Sequence, residues 1–149
     1  MGVIDIIKLI KQTQVGNLIL IKIGKFIYTY GKDAYIISYI FKYKIKLLDS
    51  NIYVCSFPKE KINKIMAILE NKKINYMVLD RKNSYRVDEQ SNNRNLNKYD
   101  EYLKKAVKYV KRKNQIDNIY NALLGKIEID DVDEEIMLIK RVLNERRKV

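Results

Sequence analysis

Apolar positions change period several times along the chain, and each change marks an element. Val3, Ile6, Ile7 and Ile10 repeat at helical spacing, and Gly16-Asn17 ends that helix. Leu18 to Ile23 is an apolar run broken only by Lys22, the pattern of a strand buried on both faces. Gly24-Lys25 turns the chain into Phe26–Tyr30, where Phe26, Tyr28 and Tyr30 alternate onto one face. Tyr35, Ile36, Tyr39 and Ile40 form the stripe of a short helix over Lys32–Lys42. Two strands, Lys44–Leu48 and Ile52–Ser56, flank the turn Asp49-Ser50-Asn51.

Pro58 is expected to open the next helix, whose stripe is Ile62, Ile65, Met66 and Leu69. A buried strand over Ile74–Leu79 and a more polar edge strand over Asn83–Glu89 follow. Ser91–Asn97 (SNNRNLN) reads as a mobile loop. Asn97 caps a helix with Asp100 three residues on, and the stripe of that helix is Tyr99, Leu103, Ala106 and Val110. A second helix carries Ile116, Ile119, Tyr120 and Leu123 and stops at Gly125. A third, Asp130–Arg147, has acids in its first turn and bases in its last, with Val132, Ile136, Ile139 and Leu143 on one stripe. The order predicts an α/β fold, a mixed β-sheet flanked by helices over residues 1–92, with an appended helical C-terminal region over 93–149.

Charge changes the picture most. The 149 residues carry a formal net charge of +12, and a field of that sign favours polyanions. Part of the lysine count follows from a composition rich in Lys, Ile, Asn and Tyr. Residues 126–149 carry six cations and seven anions, so the excess belongs to the rest of the chain. The segment 93–113 concentrates eight cations, with Lys104, Lys108, Lys111 and Arg112 on the outer side of its helix. A single cysteine, Cys55, suits a reducing, cytoplasmic setting. The N-terminus has neither the form of a signal peptide nor that of a membrane span.

Catalytic chemistry is poorly supplied. There is no histidine, which removes the usual neutral-pH base, and no glycine-rich phosphate loop. Cys55 reads as a packed side chain. A metal-dependent nuclease would need Asp80 with Lys82 after one strand and Asp49 after another, yet Asp80-Arg81-Lys82-Asn83 reads more simply as a polar turn. No cofactor, metal site or enzymatic activity is expected. Phe26, Tyr28 and Tyr30, flanked by Lys25 and Lys32, suit a base-stacking platform, although by pattern alone the stripe is more simply core packed under a helix.

The run N-L-I-L-I-K-I-G-K-F-I-Y-T-Y-G-K-D-A (Asn17–Ala34) resembles the start of the mismatch-recognition domain of the MutS DNA mismatch-repair family, matching it at Gly24, Phe26, Tyr30, Asp33 and Ala34. C-S-F-P-K-E-K-I-N-K-I-M-A-I-L-E-N-K-K-I-N-Y-M-V-L-D (Cys55–Asp80) is similar to the family's G-V-P segment, helix and following strand. The co-linearity covers roughly residues 14–90 and leaves the helices from about residue 97 outside it. The resemblance implies a MutS domain I-like fold in which Phe26 takes the place of the ring that wedges beside a mispaired base from the minor groove. Tyr28 stands where the family has a base-contacting Glu, and Lys25 where it has Asp. The family's ATPase parts have no counterpart here.

The implied function is non-catalytic binding of DNA, RNA or a hybrid through Lys25, Phe26, Tyr28 and Lys32, with Lys104, Lys108, Lys111 and Arg112 on phosphate. The alternative is an accessory subunit of a larger nucleic-acid enzyme, such as a retroelement reverse transcriptase, with which stand-alone relatives are associated. The nuclease is third. Three amphipathic C-terminal helices also suit pairing between copies of the chain.

Overall fold

A computed structural model describes residues 2–91 and 96–147. Four residues of the expected loop over Ser91–Asn97, positions 92–95, lie outside them. The chain divides into two compact units, Met1–Val110 and Lys111–Val149.

The first unit begins with helix α1 (Val3–Thr13), followed by strands β1 (Leu18–Ile23) and β2 (Phe26–Tyr30) and helix α2 (Lys32–Phe41). Strands β3 (Ile45–Leu47) and β4 (Tyr53–Pro58) lead through a 3-10 turn, Lys59–Lys61, into helix α3 (Ile62–Asn71). Strand β5 (Tyr76–Asp80), a second 3-10 turn and strand β6 (Arg86–Gln90) precede helix α4 (Tyr99–Leu124). The described strands form one sheet in the order β3-β4-β2-β1-β5-β6, with β1 and β5 parallel and the other pairs antiparallel. The mixed sheet flanked by helices is the fold expected from the sequence.

The parallel pair β1–β5 is apolar on both sides, because each side meets a different core. Leu18, Leu20, Tyr76 and Val78 join Ile27, Phe57, Ile36, Ile65 and Leu69 under α2 and α3. Ile19, Ile21, Met77 and Leu79 pack with Ile7 of α1 on the opposite face. Helix α4 belongs to the first core through Tyr99 and Ala106, and the small Ala106 side chain, fully buried, permits close approach of the helix. The compact first unit therefore includes the start of α4 and runs to Val110.

Three local expectations are corrected. Pro58 ends β4 opposite Phe26 rather than opening a helix; its extended backbone (φ −62°, ψ 142°) suits a strand end, and the 3-10 turn intervenes before α3. Strand β6 starts at Arg86, because Ser84 and Tyr85 adopt left-handed backbone that breaks the extended run. The two helices expected over 97–125 are one helix of 26 residues: Lys113-Asn114-Gln115 contains neither glycine nor proline, so nothing stops propagation before Gly125. Helix α5 (Val132–Arg147) follows in the second unit.

Two polar residues join these elements. Asn97 caps α4 by accepting from the Tyr99 amide at 3.1 Å; it also accepts from the Asn75 amide at 3.2 Å and donates to the Gly16 carbonyl at 2.7 Å. Asp33, in the first turn of α2, is 1% exposed. Its carboxylate accepts from the Ile19 amide of β1 at 3.1 Å, from Lys11 Nζ of α1 at 3.1 Å and from the Tyr99 hydroxyl of α4.

Burial raises the Asp33 carboxyl above its ordinary value of 3.8, against the pull of Lys11, Tyr99 and the Ile19 amide. A proton held more tightly in the folded state contributes stability that is complete below the unfolded value and is lost as pH rises through the folded one. Asp33→Asn, which cannot ionise, is therefore expected to lose less stability than the parent as pH rises from about 4 towards neutrality. Urea unfolding across that range checks it; a parent that gains on the variant as pH rises would reverse the sign.

Candidate nucleic-acid interface

The β1–β2 hairpin is closed by two residues, Gly24 and Lys25, between the paired Ile23 and Phe26. Gly24 sits at φ 61°, the left-handed backbone that a tight hairpin demands and that glycine adopts without strain. Strand β2 is held on both sides, by β1 and by β4. Its alternation sends Ile27 and Thr29 into the α2–α3 core, both fully buried, and Phe26, Tyr28 and Tyr30 to the opposite face. Of the aromatic stripe only Tyr30 packs under a helix, against the α1 core, whereas Ile27 and Thr29 face the α2–α3 core.

Phe26 is 46% exposed at the turn. Tyr28 is half-buried and stacks with Tyr30, ring centroids 6.4 Å apart and 20° from parallel. Tyr30 packs against the α1 core, and burial, followed by Tyr28 and Tyr85, pushes its phenol above the usual tyrosine range. Lys25 is exposed beside Phe26, and Lys32 is exposed at the start of α2, past the other end of the stripe.

The fold adds a cation that sequence spacing does not reveal. The Lys59 amide donates to the Lys25 carbonyl at 3.0 Å, so the exposed Lys59 and Glu60 adjoin the hairpin turn. The β2–β4 register, with Phe26 opposite Pro58, brings them there. Beyond Tyr30, a cavity of about 400 Å³ is lined by Ile4, Ile7, Lys8, Tyr30, Lys32 and Leu103, with others.

The α4 cations lie elsewhere. Lys104 and Lys108 are exposed on the helix that packs against the first core, on the face of the sheet opposite Phe26 and Tyr28. Lys111 and Arg112 are exposed residues of the second unit. Within the first unit, the residues singled out in the sequence therefore form a hairpin group and the pair Lys104 and Lys108, not one continuous patch.

The nuclease pair is not assembled. Asp80 ends β5 at the hairpin end of the sheet, whereas Asp49 follows β3, which runs antiparallel to β4 and reaches the other end. Both Asp80 oxygens are engaged in their own turn, with the Lys82 amide at 3.0 Å and the Asn83 side chain at 3.1 Å. Among the described residues no group of three or more metal-ligating side chains occurs, and no helix is long and apolar enough to cross a membrane.

The family model for MutS domain I matches residues 2–113. The chain belongs to the MutS domain I family. Compared with the curated proteins, it has no match. The family match is longer than the co-linear stretch seen in the motifs: it takes in α1 and α4 as far as residue 113, in keeping with the burial of Ile7, Tyr99 and Ala106 in the domain's two cores. Helix α5 falls outside it. Phe26, which the resemblance sets at the wedge position, is 46% exposed.

Neighbours on the same strand should respond unequally to truncation. Phe26→Ala is expected to cost about 1 kcal/mol or less of stability, and Ile27→Ala about 2–5 kcal/mol. Denaturant titration of the two variants checks this; equal losses would mean that the Phe26 ring is packed in solution.

Proposed function

We propose that this MutS domain I protein binds nucleic acid without cleaving it, placing the Phe26 ring against a base while Lys25 and Lys59 meet the adjoining phosphates. The observation that carries the reading is the exposed ring at the tip of a hairpin fixed by neighbours on both sides. An apolar ring in that setting can insert beside a base with little ordering cost of its own. Tyr28 offers a phenol where the family has a carboxylate, so it supports stacking rather than carboxylate recognition of a mispaired base. Lys104 and Lys108 act on a separate stretch of phosphate, reached only where the nucleic acid continues around the domain.

Oligonucleotide titrations at two salt concentrations test the proposal. Affinity is expected to fall roughly tenfold or more between about 50 and 200 mM salt, through release of condensed counterions. Phe26→Ala should cost about 1–3 kcal/mol with the salt slope unchanged, whereas Lys25→Ala and Lys108→Ala should each lower the slope by about one. Absence of binding to single-stranded, duplex, mismatched and hybrid oligonucleotides at low salt would overturn the proposal.

Incubation of the same oligonucleotides with Mg²⁺ or Mn²⁺ should leave them intact, because Asp49 and Asp80 stand at opposite ends of the sheet and the chain has no histidine. Cleavage that Asp80→Asn abolishes would instead make the protein a nuclease.

The accessory-subunit reading draws on a different observation, the apolar surface of the second unit.

A further inference from the structure

Helix α5 has 16 residues, and every one from Ile136 to Glu145 is exposed. Six of these ten are large and apolar: Ile136, Met137, Leu138, Ile139, Val142 and Leu143. An isolated helix of this length is marginal in water, and amphipathic helices owe most of their stability to the surface that covers their apolar face. Exposed patches of this kind mark association surfaces.

Spacing and charge identify what covers it. Val132, Ile136, Ile139 and Leu143 are separated by four, three and four residues, the repeat of a helix-pairing seam. Val132 is only 7% exposed and already covered within the chain, so the free seam is Ile136, Ile139 and Leu143. An antiparallel copy of the same helix sets Ile136 against Ile139, with Leu143 at each end of the contact. The helix is also electrically polar. Asp133, Glu134 and Glu135 stand in its first turn, while Lys140 and Arg141 lie in its second half with Glu145. Parallel pairing would bring the two acidic ends together; antiparallel pairing sets each acidic end against a basic one and aligns the helix dipoles favourably. It also brings Asp133, beside the seam, towards Lys140 of the other copy.

We infer that the chain self-associates through α5, as a two-fold antiparallel pair of second units that presents two MutS domain I units. A surface that meets its own copy about a two-fold axis must be self-complementary, and the reversed charge along α5 meets that condition.

Sedimentation velocity of the full chain without nucleic acid tests this independently of the proposed binding. From about 1 to 100 μM the parent should pass from monomer to dimer. Ile139→Glu should remain monomeric, with the thermal transition of the first unit retained. Asp133→Lys and Lys140→Glu alone should each raise the dissociation constant about tenfold, through two like-charge contacts per dimer, and their combination should restore it. A parent that is monomeric throughout overturns the inference and leaves a different protein as the occupant of the seam. An Asp133→Lys variant that pairs as tightly as the parent, or more tightly, overturns the antiparallel arrangement.

Discussion

The buried carboxylate of Asp33 is the contact on which the arrangement of the first unit turns. It joins α1, β1, α2 and α4 at one point through Lys11, the Ile19 amide and Tyr99. Lys11 extends the junction: its ammonium also donates to the Asn17 carbonyl at 2.7 Å and lies 4.9 Å from the centre of the Tyr99 ring. Burial and the neighbouring Asp33 charge both push the Tyr99 phenol well above the usual tyrosine range, which keeps it a donor. Such a group contributes little net stability, since desolvation offsets the attraction, but it strongly disfavours arrangements that leave the charge unpaired. Its effect is positional. Helix α1 is tied over the β1–β5 side of the sheet, α4 enters over the other face, and the tip of β2 is left uncovered.

That uncovered tip couples fold to function. Strand β2 is an interior strand, so the backbone beneath Phe26 is held by ladders to β1 and β4 and the ring has only its own rotamers to order on binding. Gly24 supplies the turn, and the same register that sets Phe26 opposite Pro58 carries Lys59 to the Lys25 carbonyl. The ring on β2 and the cations of the two adjoining turns are thus held together by three paired strands.

Much of this was legible in the sequence for local reasons. The unbroken apolar run of β1 required two covered faces, and the motif G-K-F-I-Y-T-Y placed the turn and the strand after it. Alternation showed that β2 has two unlike faces but not which was covered. The aromatic set had the appearance of core, and only the assembled sheet put Ile27 and Thr29 inside. The Asp33 junction was hidden because its partners stand 22, 14 and 66 residues away in the chain. The length of α4 does not follow from its apolar stripes, which the polar stretch Lys113-Asn114-Gln115 separates although it holds no glycine or proline. Lys59 was missed because its place beside the hairpin depends on strand register rather than on spacing.

The role of Phe26 is open to direct optical measurement, since the chain has no tryptophan to interfere. A fluorescent adenine analogue placed within an oligonucleotide brightens when it is unstacked from its neighbours. If the ring inserts beside a base, binding of the parent chain should raise the emission, and Phe26→Leu, which keeps an apolar side chain of smaller reach, should abolish most of the rise while leaving the salt dependence of binding unchanged. An equal rise with both chains, or none with the parent at saturation, would contradict insertion by Phe26.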